Sequence, residues 1–400
     1  MPMQVVERRS RGFICVNAHP EGCRRNVERQ IAVVRQAVAK PLGGIGSALV
    51  IGSSTGYGLA SRIAAAWGFG ARTLGVALER PPEGRRTASA GFYNTAAFHR
   101  IAEGEHLVAD SLNLDAFSDE AKREAFRRIR GSLGPVDVVI YSLAAPRRVH
   151  PRTGQTHSSA LKPIGAPFTG KTIDLDAERV HEVTIPPATE KEIADTVAVM
   201  GGEDWQWWVE GLLAESLLAA GARTFAYSYI GPELTWPIYR DGTIGRAKED
   251  LDRTAHRLDS LLRQRVGGRA WVSVNQAVVT QAAAAIPVVP LYVSLLLRVS
   301  EEKQITEGPI EQMLRLFRDH LAPGISPKTD AEGRIRLDNL EMRPDVQREI
   351  AALWPQVATE NLRTAADFAG FQRRFHNLFG FDVPGVDYTQ PVETELSLTA

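Results

Sequence analysis

The stretch Ala48-Leu-Val-Ile-Gly-Ser-Ser-Thr-Gly-Tyr-Gly58 decides the fold. A continuous apolar run enters a turn with glycines at 52, 56 and 58, and a helical stripe of Leu59, Ile63 and Trp67 follows. An unbroken apolar strand is one buried on both faces, as in a parallel sheet covered by helices. Glycines in the turn let the backbone bend tightly and approach an anion with no Cβ in the way. The helix that opens there presents unpaired N–H groups and the positive end of its dipole. Strand, glycine turn and helix together predict that Gly52 to Gly58 hold the pyrophosphate of a dinucleotide.

Outward from this stretch the chain alternates strand and helix signals. A second strand, Thr73 to Leu78, ends at Glu79, and a third is expected at His106 to Ala109, before a polar turn at Asn113 to Asp115. A helix follows from about Asp119 to Ser132, then a fourth strand, Asp137 to Tyr141, running into Ser142 to Ala145. Trp205, Trp208, Val209, Leu212 and Leu213 stripe a helix expected to stop at Gly221, with Trp207 on its flank. Arg223 to Ile230 is the fifth strand and Trp271 to Val279 the sixth, with a long helix ending at Gly267 between them. This alternation predicts an α/β fold, a Rossmann-type doubly wound parallel sheet. The expected layout is one enlarged domain over residues 1–400 with a core at about 46–300. An N-terminal segment, a mid-chain insertion at about 146–200 with a hairpin around Lys171 to Ile185, and a C-terminal helical extension at about 301–400 enlarge it. An insertion at a strand exit lies over the ligand side of such a sheet, as decoration or as a partly mobile lid.

Composition narrows the classes. Lysines and arginines (47) balance aspartates and glutamates (47), so no net field draws the chain to nucleic acid or to an anionic membrane. Cys15, His19 and Cys23 fall in a C-x3-H-x3-C spacing, but Pro20 breaks any helix that would align them and no fourth ligand is near, so no metal is expected. Two cysteines suit a reducing compartment. The N-terminus lacks the apolar core of a signal peptide, and the longest apolar run, Ala282 to Leu297, is interrupted by Pro287 and Pro290 and too short to span a bilayer. A cytoplasmic location is expected.

Two further features carry chemistry. Glu79 ends the second strand where a carboxylate can accept hydrogen bonds from the adenosine 2′-OH and repel a 2′-phosphate, which predicts NADH over NADPH; Arg80 beside it works the other way. Between Lys191 and Lys303 the chain has one lysine, Lys248, in the first turn of the long helix, where the dipole disfavours a cation. Tyr239 precedes it in a Y-x8-K spacing. Hydride delivery to the β-carbon of an unsaturated thioester pushes charge onto the carbonyl oxygen, and a phenol aimed there can donate a hydrogen bond and a proton. A neighbouring ammonium makes the phenol a better donor. Tyr229, on the fifth strand, is a second phenol for the thioester or a core tyrosine. Asp115 follows the third strand, where adenine is often held.

These residues match a known pattern. Gly52-Ser-Ser-Thr-Gly-Tyr-Gly58, Tyr141-Ser-Leu-Ala-Ala-Pro146, Tyr239-x8-Lys248 and Val278-Val-Thr-Gln-Ala-Ala-Ala-Ala-Ile-Pro287, with Asn17-Ala-His-Pro20 and Phe379-Gly-Phe-Asp-Val-Pro-Gly-Val-Asp387 near the two ends, resemble the V-type enoyl-acyl-carrier-protein reductases. These are enlarged short-chain-dehydrogenase-like enzymes of fatty-acid synthesis, related to the trans-2-enoyl-CoA reductases. The resemblance spans essentially the whole chain. It implies that Gly52, Ser53, Ser54, Thr55, Gly56 and Tyr57 bind the pyrophosphate of NADH. It places Leu78 and Glu79 at the adenosine ribose, Asp115 and Ala116 beside the adenine, and Leu143 and Ala144 along the cofactor. Tyr239 becomes the proton donor, Lys248 a ligand on the nicotinamide side, Tyr229 a substrate contact, and Ala277, Val278 and Val279 the lining of the nicotinamide pocket. The implied partner is an enoyl thioester on acyl-carrier protein or coenzyme A, and the implied state is a monomer.

The substrate side is less defined. Ile286 to Leu297 could line an acyl channel or form an ordinary core helix, and Arg147, Arg148 and Arg152 are candidates for a basic patch that meets an acidic carrier. Two other functions stay open. A ketoreductase or alcohol dehydrogenase would use the same tyrosine and lysine with Ser228 as a third group. A protein that senses NAD(H) without turnover would need no proton donor.

Overall fold

The computed structural model describes residues 3–398. Its centre is a seven-stranded sheet with β1 Ser47–Ile51, β2 Arg72–Ala77, β3 Ala109–Asn113, β4 Val136–Tyr141, β5 Leu218–Ser228, β6 Arg269–Val274 and β7 Ile335–Arg336. The strand order is β7-β6-β5-β4-β1-β2-β3, and every neighbour is parallel. The order reverses beside β1, so the crevice where such folds bind ligands opens at the end of the strand that carries the glycine turn.

Alternation along the strands fills two layers. Ala48 and Val50 of β1, Val138 and Ile140 of β4, and Phe225 of β5 face α1 (Pro20–Ala37), α2 (Gly56–Ile63) and a helix that carries Ile310, Met313 and Leu314. Leu49 and Ile51, Leu74 and Val76, and Val139 face the helices that carry Ala121 and Ala125, Trp205, Trp208 and Leu212, and Leu251, Leu258 and Leu262. A third apolar cluster lies beyond the sheet. There Leu291, Tyr292, Val293 and Leu295 are buried with Val346, Ile350, Phe368 and Phe371 of the C-terminal extension. Ile286 to Leu297 therefore packs largely as core helix.

Several sequence expectations shift. The third strand is Ala109–Asn113, not His106 to Ala109. As the edge of the sheet it needs only one paired side, so a polar segment serves and the apolar signal is weak. The tryptophan helix ends at Ala214, and Gly221, with φ of 75°, lies inside β5 where the register with β4 slips between Leu218 and Arg223. Pairing of β6 ends at Val274, and residues 275–279 continue as irregular chain toward the site. A seventh strand, drawn from the extension, joins β6.

The insertion forms a hairpin of Phe168–Asp174 with Arg179–Ile185. Lys171 fastens it to the extension, its ammonium donating to the carbonyls of Trp354, Pro355 and Val357 at 3.2, 2.8 and 3.0 Å. Arg148 is not part of a surface patch. It is 1% exposed, donates to Ala198 O and pairs with Glu203 at 2.9 Å.

Candidate active site

At the end of β1, Gly52 has φ of 84° and Gly56 φ of 52°, both in the left-handed region. A Cβ on Gly52 would run into the Ser142 carbonyl, and one on Gly58 into the Gly52 carbonyl. The turn is thus packed directly against the backbone at the end of β4. Ser53 and Ser54 turn their side chains inward, and Ser54 Oγ donates to Glu79 Oε1 at 2.6 Å. The N-cap of α2, Thr55, makes no side-chain cap, so the first-turn N–H groups are left for an anion.

Glu79 is held from several sides. Ser54 and Ser89 hydroxyls donate to its carboxylate, the latter at 2.5 Å, and Asn113 brackets its backbone with bonds of 2.7 and 2.9 Å. Arg80 is tied back, donating to the carbonyls of Val16 and Thr87 at 3.3 and 3.4 Å. Leu78 stands 67% exposed beside them, apolar surface that a base or ribose can cover. Asp115 is partly exposed and caps its own turn by accepting from Phe117 N at 3.0 Å. Ala116 is buried, with its carbonyl taken by Lys122 and Trp208. Leu143 is partly buried and Ala144 exposed. A groove of about 910 Å³ runs along Thr55, Gly56, Glu79, Asn94 and Thr280, large enough for a dinucleotide.

The other end of the site is a cluster of phenols. Tyr227 and Tyr229 project from the same face of the chain as β5 ends, and Ser228 from the opposite one. The Tyr229 ring meets the Tyr239 ring edge to face, with centroids 4.8 Å apart and planes at 88°. Tyr239 sits on a turn after the short helix Glu233–Thr235. A Cβ on Gly245 would strike the Arg240 carbonyl, so the long helix Thr243–Val266 starts hard against that turn. Glycine there is what lets Y-x8-K close.

The Tyr239 hydroxyl has no hydrogen-bond partner among the described residues. The phenols of Tyr57, Tyr227, Tyr229 and Tyr292 are all engaged. Burial, helped by the charge of Glu341, raises the Tyr239 pKa, so the phenol stays protonated at neutral pH and can donate. Lys248 Nζ donates to Tyr227 O at 3.0 Å. Burial lowers its pKa to about 8, against the pull of Asp252.

Two residues in this cluster, Gln312 and Glu341, escaped the sequence reading, and a third, Tyr57, has a bond the sequence did not suggest. Tyr57 belongs to the glycine turn, yet its hydroxyl donates to Gln276 O at 2.6 Å and lies 3.0 Å from Gln312 Oε1. Gln312 also accepts from Gln276 N at 3.1 Å. Glu341, from the extension, accepts from Tyr229 and Tyr292 hydroxyls on Oε1 and from Ala277 N on Oε2. Ala277 and Val278 are partly buried and Val279 is buried. No motif surrounds Gln312 or Glu341; only the fold brings them here.

The chain compares closely with known proteins over its length. A family profile described as the trans-2-enoyl-CoA reductase catalytic region matches residues 86–322, and one described as the NAD(P)H-binding domain of trans-2-enoyl-CoA reductase matches residues 5–84. The chain belongs to the trans-2-enoyl-CoA reductase family. An enoyl-[acyl-carrier-protein] reductase [NADH] of Opitutus terrae is 52% identical over 98% of this chain and 100% of its own. A trans-2-enoyl-CoA reductase [NADH] of Ruminiclostridium cellulolyticum is 50% identical over 98% and 99%. Among solved structures, the Treponema denticola trans-2-enoyl-CoA reductase in complex with NAD superimposes with a TM-score of 0.92 at 43% identity, covering 98% of each chain. The fold expected from the glycine turn is thus that of this reductase family.

A third profile, described as an enoyl reductase FAD binding domain, matches residues 329–392. The residues present do not fit a flavin. Val346, Ile350, Leu362, Phe368 and Phe371 of this segment are packed in the third apolar cluster. The cavity walled by Thr329, Glu332, Gly333 and Arg334 is about 200 Å³, below the roughly 300–1,000 Å³ of drug-sized ligand sites. The larger groove that Arg374 and Phe379 border is the one beside the glycine turn and Glu79. In this reductase the segment supplies Glu341 instead.

Proposed function

We propose that this chain uses NADH to saturate the trans-2 double bond of an enoyl thioester carried on acyl-carrier protein or coenzyme A. The family supports the reaction class, and the geometry supports the parts. When bound, the reduced nicotinamide supplies a hydride to the β-carbon. The first-turn amides of α2 hold the pyrophosphate, Glu79 takes the adenosine ribose, and Asp115, Leu143 and Ala144 border the remaining cofactor. Ala277, Val278 and Val279 line the nicotinamide side. The Tyr239 phenol meets the carbonyl oxygen as charge builds there and passes it a proton, the resulting enol tautomerises to place hydrogen on the α-carbon, and water returns a proton to the phenolate; Tyr229 is a second contact to the thioester. Lys248 holds its ammonium at the same edge.

One observation carries this reading. Of the phenols gathered at the strand ends, Tyr239 alone has its hydroxyl uncommitted among the described residues, on the partly exposed side of a buried cluster. A ketoreductase reading needs Ser228 beside that phenol, and the side chain beside it is Tyr229. We read the chain as one enlarged domain that works as a monomer in the cytoplasm. In support, both cysteines are free, and no described helix is long and apolar enough to cross a membrane.

The test is an absorbance assay with purified protein, NADH and crotonyl-CoA. Consumption of NADH with a saturated product is expected. Consumption with acetoacetyl-CoA instead would favour a ketoreductase, and tight NADH binding without turnover would favour a sensor.

A further inference from the structure

Glu341 lies in the C-terminal extension just before the helix Pro344–Leu353, 1% exposed, and its carboxylate is fully subscribed. It accepts from Tyr229 Oη at 2.8 Å, Tyr292 Oη at 2.6 Å and Ala277 N at 2.6 Å. Two phenols and an amide donate to it together only while Glu341 is ionised; the neutral acid would have to turn its own O–H toward a phenol oxygen and displace one of those bonds. A buried carboxylate is costly unless such bonds satisfy it, which argues for a purpose beyond filling space. Two of the three partners belong to the site. Tyr229 packs edge-on to Tyr239, and Ala277 begins the segment proposed to line the nicotinamide pocket.

We propose that Glu341 is a positioning residue for reduction, aiming the Tyr229 ring, and through it Tyr239, while fixing the 277–279 backbone beside the nicotinamide. This rests on the function proposed above. Tyr292 has the complementary task. It is fully buried on the helix Val289–Glu302, and its hydroxyl shares Glu341 Oε1 while Gln347 Nε2 lies 3.2 Å from it. Glu341 is thereby held from the core side and pulls Tyr229 toward the core. Tyr239 is then braced by a ring whose own hydroxyl is committed to Glu341, which leaves the Tyr229 ring for contact with the thioester.

The same geometry makes the site sensitive to acid. Burial raises the Glu341 pKa to about 7, against the hydrogen bonds from Tyr292, Ala277 and Tyr229. The ionisable groups that face it are Tyr229, Tyr292, Tyr57, Tyr239 and Asp338, and the phenols remain neutral throughout this range. Below about pH 7 the protonated acid loses an acceptor, and the hold on Tyr229 weakens.

Glu341→Gln tests the proposal in the full chain with NADH and crotonyl-CoA. A drop in kcat of roughly 10-fold or more is expected, with NADH affinity by fluorescence titration within a few-fold of wild type. The acid limb of the kcat profile near pH 7 should vanish. Combining it with Tyr229→Phe should cost less than the product of the two single losses, because the Tyr229–Glu341 contact is perturbed in both. Wild-type kcat with the acid limb retained, or rate losses that multiply independently, would overturn the proposal. Should Glu341→Gln fail to fold, Tyr292→Phe serves. Loss of one donor raises the Glu341 pKa, so the acid limb should move to higher pH, and an unmoved limb would overturn the proposal. Wild-type protein that consumes no NADH with enoyl thioesters would instead refute the function on which the inference rests.

Discussion

The hydroxyl of Tyr229 and the carboxylate of Glu341 are joined at 2.8 Å although 112 residues separate them in sequence. Through this bond the extension reaches the phenol pair, and Tyr239 is left as the phenol of the cluster with no hydrogen-bond partner among the described residues.

Tyr239→Phe removes only that hydroxyl. Turnover of crotonyl-CoA should fall by a factor of roughly 100 or more, the scale of a lost general acid. NADH affinity should change little, because the glycine turn and Glu79 are untouched. Near-normal kcat in a stopped-flow or steady-state absorbance assay would remove Tyr239 from the mechanism.

The lysine gives the alkaline side of the profile. With a pKa near 8, Lys248 is an ammonium below that pH and loses its charge as pH rises through it. Activity that needs the ammonium should therefore fall above about pH 8. Lys248→Arg stays charged over the whole range and should flatten that limb, whatever it does to the maximum. A limb that persists in Lys248→Arg would belong to another group.

Glu79→Ala should relax the choice of dinucleotide. The carboxylate that repels a 2′-phosphate is gone, while Arg80 remains nearby. The ratio of kcat/KM for NADH over NADPH should drop roughly 10-fold, about 1.4 kcal/mol. An unchanged ratio would mean that another group sets the preference.

A fourth prediction concerns stability. Lys122 and Asp204 form a buried pair at 2.7 Å, and the lysine also donates to the carbonyls of Ala116 and Phe117. Lys122→Ala strands the carboxylate, and removing one partner of a buried pair costs about 3–5 kcal/mol. Urea unfolding should show a loss of that size. Because Asp115 lies on the turn that Lys122 anchors, NADH affinity should fall as well.

Much of the fold is readable because its rules are local. The glycine turn, the Leu251 to Leu262 stripe and the apolar β1 and β4 segments carry period and punctuation that few other structures allow. The edge strand Ala109–Asn113 was misplaced because a strand paired on one side needs no apolar run. Helix α1 went unread although Cys23, Val27, Ile31 and Val34 recur at helical spacing. The proposed Tyr239 and Lys248 half of the site is legible because nine positions of one turn place it. Glu341 and Gln312 are not, since each acts through partners on other elements and is flanked by unremarkable sequence. The hold on Tyr57 by Gln276 O likewise joins the segments after β1 and β6, strands that are not neighbours in the sheet and that no spacing connects.

The three carbonyls that grip Lys171 decide how the inserted hairpin behaves. Lifting the hairpin would strip an ammonium of bonds worth about 1.5–3 kcal/mol each when the donor is charged. Thermal motion would raise such a flap only rarely, so the hairpin stands against the extension as a fixed wall and not as a moving lid.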